Sequence, residues 1–107
     1  MLIEEGARLD LRRFIHPRVE PEIAFLLKAP LTADSSLAQV YAAIAAVAPA
    51  LEVIDSRYRD FRFSLADVIA DNCSSAAFCI GQWQQPGIDL TNLGMVMSFD
   101  GEAKQIG

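Results

Sequence analysis

Three carboxylates carry the chemistry this chain could do. Two stand in the stretch His16-Pro-Arg-Val-Glu-Pro-Glu-Ile-Ala-Phe25, whose centre is Glu20-Pro21-Glu22. In an extended segment alternate side chains share a face, so Glu20 and Glu22 stand side by side while Ile23 and Phe25 turn the other way, toward apolar surroundings. Two carboxylates a few ångströms apart repel, and a cation between them removes the repulsion. Oxygen-only donors of this kind suit a hard cation, Mg2+ or Mn2+. A bare Glu-x-Glu serves equally well as the wet face of a strand, so the pair alone does not decide the matter.

The third carboxylate is Glu52, in Pro49-Ala-Leu-Glu-Val-Ile-Asp-Ser-Arg57, where it sits among Leu51, Val53 and Ile54. A carboxylate in an apolar strand needs a partner if that strand enters a core. Laid beside the first strand, it completes a three-carboxylate site with room for waters and substrate. The alternatives are that Glu52 faces solvent or pairs with Arg57 or Arg59.

The elements that must position these groups follow from the patterning. A strand is predicted over about Val19 to Lys28, with Pro21 suited to a sheet edge because it lacks a ladder donor. Asp34-Ser35-Ser36 offers an N-cap. Leu37 to Val47 then reads as an Ala-rich helix whose apolar face is Leu37, Val40, Tyr41 and Ile44, ended by Pro49. Asp55 to Arg62 alternates charge with Tyr58 and Phe61 and is read as a salt-bridged loop. Ser64 caps a short helix, Leu65 to Ala70. Asp71-Asn72-Cys73-Ser74-Ser75 reads as a turn built on small hydrogen-bonding side chains. Ala76 to Trp83 is read as a buried strand, Gln84 to Gly87 as a turn, and Leu93 to Phe99 and Glu102 to Ile106 as strands joined by an Asp100-Gly101 hairpin turn. Many strands and two helices make the class α+β, mainly β.

Composition removes other function classes. The 107 residues suffice for one small domain. A net charge of −5 opposes nucleic-acid binding, which needs a basic surface. The longest apolar run, Val40 to Leu51, is too short to span a bilayer and contains Pro49. Cys73 and Cys79 show no zinc spacing or disulfide framework, which fits free thiols in a reducing cytoplasm. Arg8, Arg12, Arg13, His16 and Arg18 form a basic cluster that either attracts an anionic substrate or makes a solvated face.

Pro17-Arg-Val-Glu-Pro-Glu-Ile-Ala-Phe25, Pro49-Ala-Leu-Glu-Val-Ile-Asp-Ser-Arg-Tyr58 and Ala70-Asp-Asn-Cys-Ser-Ser75, in that order, resemble the hydratase/decarboxylase branch of the fumarylacetoacetate hydrolase superfamily. The likeness runs from about Leu9 onward. Glu-Pro-Glu and the Phe61-Arg-Phe63 that follows Tyr58 resemble its decarboxylases more than its hydratases. The resemblance implies part of a mixed β-roll and an internal piece of a longer enzyme. It implies Mg2+ or Mn2+ held by Glu20, Glu22 and Glu52. Metal-dependent decarboxylation of 2-oxo-3-hexenedioate to 2-hydroxypenta-2,4-dienoate is the implied reaction, with hydration of a 2-oxopentenoate or a non-catalytic binding module of the same fold as alternatives. It also implies a 2-oxo dicarboxylate bordered by Asp71, Ser74, Ser75 and Arg57, a homo-oligomer, and association with the hydratase of the same pathway. Acid/base groups, among them a lysine, are expected upstream of this region, and Lys28 and Lys104 do not match that position.

Overall fold

The computed structural model describes residues 1–87 and 89–107 and shows an α+β architecture dominated by strands. Its elements are β1 (Leu2–Ile3), β2 (Arg18–Leu27), α1 (Leu37–Ala43), β3 (Ile44–Ile54), α2 (Leu65–Ala70), β4 (Ser75–Ile80), β5 (Val96–Phe99) and β6 (Glu102–Ile106). Four of the strands form a sheet in the order β1-β4-β3-β2, and β5 and β6 pair with each other. The chain divides into two compact units, Met1–Glu22 with Ala50–Gly81 and Ile23–Pro49 with Gln82–Gly107.

In the first unit β3 pairs antiparallel with β4, and β1 pairs parallel with β4. β2 takes the outer position beside β3, an edge place in the sheet of the kind that tolerates a proline such as Pro21. Val53, Ile54 and Ala77 form the buried apolar centre, and the pairing of Val53 with Ala77 stacks a branched residue over a small one. α2 begins in a reciprocal cap: the Ser64 hydroxyl accepts from the Asp67 N–H, and the Asp67 carboxylate accepts from the Ser64 N–H.

In the second unit α1 starts in the same kind of cap, between Ser36 and Gln39, as the serines predict. The helix ends sooner than its periodicity suggests. Ile44 to Val47 belong to β3, and the Lys28 N–H donates to the Ala43 carbonyl where the helix stops. Ile44 and Val47 are β-branched and lose less side-chain freedom in a strand than in a helix. Pro49 therefore lies within β3 and does not end α1. The apolar face is also narrower than predicted: Ala43 is buried and Val40 half-buried, while Leu37 and Tyr41 are exposed. Phe25, expected to turn into apolar surroundings, is 47% exposed.

β4 stops at Ile80, and Phe78 on it is exposed, so the strand predicted to Trp83 is shorter and only half covered. Gln84 forms a lone bridge with Val47. The β5–β6 hairpin turns on Asp100 and Gly101, both with positive φ, which is the backbone a two-residue turn between right-twisted strands requires. β5 itself begins at Val96 and not at Leu93.

Candidate metal and substrate site

β2 presents Arg18, Glu20 and Glu22 on one exposed face, with Val19 and Pro21 half-buried between them. β3 presents Glu52, half-buried, beside Val53 and opposite Phe78 of β4. Sheet order brings the two sequence-distant stretches together: one ligand atom from each of Glu20, Glu22 and Glu52 lies within 4.8 Å of the others. Ligand oxygens on one Mg2+ stand about 3 to 4 Å apart, given bonds of about 2.1 Å, and those on the larger Ca2+ somewhat further. The donor set is all oxygen. None of the ion pairs among the described residues involves these glutamates, and Arg57 and Arg59 do not neutralise Glu52.

The other residues of interest form a different cluster. The buried Asp71 carboxylate accepts from the Arg57 backbone N–H at 3.0 Å, the Ser56 hydroxyl at 3.4 Å and the Ser74 hydroxyl at 3.4 Å, and it pairs with the Arg57 guanidinium. The Arg57 backbone N–H, foremost, and then its side chain hold the Asp71 carboxyl below the ordinary carboxylate value, against the opposing effect of burial. Arg57 keeps 74% of its side chain in solvent while Asp71 keeps 1%. Ser74 is buried and Ser75 opens β4 half-buried. Arg57 and Asp71, read from sequence as independent neighbours of a substrate, are each other's partner in the fold. The 71–75 turn is unusual in its backbone: Asn72, Cys73 and Ser74 all have positive φ.

Asp55 also differs from the sequence reading. Its carboxylate accepts from the backbone N–H groups of Ile15 and His16, which ties the entrance of β2 to the exit of β3, and it pairs with no arginine among the described residues. Tyr58 has its hydroxyl pKa raised, first by burial and then by the charge of Asp67 nearby. Ser56, fully buried between Asp71 and the Tyr58 N–H, escapes a reading of the sequence. Its only signal is a small hydroxyl residue inside a run of charged and aromatic ones.

The chain is similar to known proteins over its whole length. The chain is 57% identical over 107 residues to a 4-oxalocrotonate decarboxylase of Pseudomonas sp, covering 100% of this chain and 42% of that protein. It superimposes with a TM-score of 0.92, at 41% identity, on 4-oxalocrotonate decarboxylase from Pseudomonas putida G7 complexed with magnesium and adipate, covering 99% of this chain and 41% of that one. The chain is similar to part of the 4-oxalocrotonate decarboxylases. A 2-keto-4-pentenoate hydratase of Burkholderia vietnamiensis strain G4 is 40% identical over 107 residues, 95% of this chain and 40% of the hydratase. The chain thus spans about two fifths of the length of the decarboxylases and the hydratase it matches. No family model matches it. Among the described residues no helix is long and apolar enough to cross a membrane.

Proposed function

We propose that this chain carries the divalent-metal site of a decarboxylase acting on 2-oxo-3-hexenedioate, with Glu20, Glu22 and Glu52 as the ligands and Mg2+ or Mn2+ as the ion. The convergence of three glutamates from neighbouring strands supports the reading most directly. The magnesium in the similar decarboxylase structure supports it further.

When bound, the ion would supply a Lewis acid that stabilises negative charge developing on the substrate. Loss of the C6 carboxylate as CO2 breaks the C5–C6 bond. The electron pair moves through the C3–C4 double bond to the C2 oxygen, which takes a proton and leaves 2-hydroxypenta-2,4-dienoate. Glu20, Glu22 and Glu52 hold the centre at which that charge collects. In this reading Arg57, with Ser74 and Ser75, borders the departing end. Asp71 already balances the charge of Arg57, so its N–H edge offers donors without a full unpaired cation. The reaction would run in the cytoplasm, in a homo-oligomer, with the pathway's hydratase as neighbour.

Isothermal titration of Mg2+ into the wild type and Glu52→Gln tests the site: a drop of about tenfold or more in affinity is expected, and equal affinity removes Glu52 from it. Incubation of enzyme with 2-oxo-3-hexenedioate and with 2-hydroxypenta-2,4-dienoate, followed by ultraviolet absorbance, tests the reaction. Hydration of the second without CO2 from the first would favour the hydratase reading. The 40% identity to a hydratase keeps that alternative in play.

A further inference from the structure

The basic cluster before β2 resolves into residues with different occupations. Arg12 pairs with Asp10, and Arg57 further along pairs with Asp71. Arg18 has no carboxylate partner among the described residues. Its guanidinium carbon instead lies 4.0 Å from the centre of the Phe61 ring. The His16 ring lies 4.8 Å from the same ring, tilted by 30°. Stacking on an aromatic face holds a guanidinium through its π surface and leaves the N–H edge free to donate.

Phe61 reaches this position through a rare backbone. Asp60 and Phe61 have φ of 56° and 54°, a region that residues other than glycine adopt at a cost and that clusters where function requires it. Arg18 also shares the exposed face of β2 with Glu20 and Glu22, two residues, or about 6.6 Å, from Glu20 along the strand. A free guanidinium edge therefore stands next to a three-carboxylate cation site, braced by a strained aromatic.

Resting on the metal-site reading above, we infer that Arg18 binds the carboxylate of a 2-oxo acid, the C1 carboxylate that stays through the reaction, and that Phe61 is the positioning residue that aims it. The chemistry selects this end of the substrate. A full cation paired with the departing carboxylate would stabilise the ground state more than a transition state on the way to neutral CO2. At C1 the charge persists from substrate to product, so a cation there binds without opposing the reaction. A bidentate guanidinium–carboxylate pair also fixes the plane of the bound acid.

The test uses Mg2+ alone and then 2-oxopentanoate at saturating Mg2+, titrated into wild type, Arg18→Gln, Arg18→Lys, Phe61→Leu and Phe61→Tyr. Arg18→Gln should bind 2-oxopentanoate about tenfold more weakly while binding Mg2+ equally or slightly more tightly, since a cation has been removed from beside the ion. Misfolding cannot produce those opposite signs. Arg18→Lys should fall between, Phe61→Leu should weaken 2-oxopentanoate alone, and Phe61→Tyr should restore it. Unchanged 2-oxopentanoate affinity in Arg18→Gln, or a parallel loss of Mg2+, overturns the assignment and leaves the metal site standing. Absence of Mg2+ binding in the wild type overturns both, and is read in the first titration.

Discussion

Two clusters of carboxylate chemistry lie in the same unit and are built on opposite terms. At Asp71 one buried carboxylate is met by a guanidinium, a backbone N–H and two hydroxyls, all from this chain. At Glu20, Glu22 and Glu52 three carboxylates meet one another, and none of the ion pairs among the described residues reaches them. A saturated carboxylate rigidifies the chain around it. Three converging and unneutralised ones raise the energy of the empty site and lower it again when a cation enters. The first arrangement is a joint between β3, the 71–75 turn and β4. The second is, in the function proposed above, a receptor for a cation.

That contrast breaks most visibly at the joint. Asp71→Ala should cause the largest loss of stability, a fall in Tm of about 10 °C or more, because it strands buried donors on Ser56, Arg57 and Ser74. Thermal melts followed by circular dichroism check this. A fall of only a degree or two would mean that solvent replaces Asp71 and that the joint is not structural.

The receptor should show the opposite behaviour. Mg2+ at a hundredfold over its dissociation constant should stabilise the wild type by about 2.7 kcal/mol, reversibly on adding a chelator. Glu52→Gln, at an affinity about tenfold weaker, should lose about half of that gain at the same Mg2+ concentration without destabilising the metal-free protein, since it relieves repulsion. A metal-free protein that melts markedly lower on this substitution would show Glu52 to be structural after all.

Ser74→Ala, which removes one neutral donor to Asp71, should cost about 1 kcal/mol in urea denaturation and leave Mg2+ affinity unchanged. Coupled losses in both would merge the two clusters into one.

The smallest expected effect is on acid sensitivity. The Asp71 carboxyl lies below its ordinary value of 3.8 in the folded chain, so its stabilisation is complete above that value and is lost as pH falls through the lower folded one. Asp71→Asn should flatten the decline in stability below about pH 4. Asp10, Asp67 and Asp89 are lowered too, so the slope should shrink but not vanish. An unchanged slope would remove Asp71 from the acid response.

Local chemistry carried through wherever one stretch of chain decided the outcome. Ser36 and Ser64 cap their helices because a hydroxyl beside free N–H groups needs only its own neighbours. Asp100-Gly101 turns the hairpin because its backbone demand is met by two residues. Glu20 and Glu22 share a face because a strand repeats every two residues. What sequence spacing left open was every pairing across distance. Residues 44–47 follow the helical period, yet they open β3, where Val47 pairs across to Gln84. Arg57 could have met Asp55, Asp60, Glu52 or a substrate, and the fold gave it Asp71, fourteen residues on. Glu52 joined Glu20 and Glu22 because β3 lies between β4 and β2. Strand order is a property of packed layers, and no single stretch of this chain contains it.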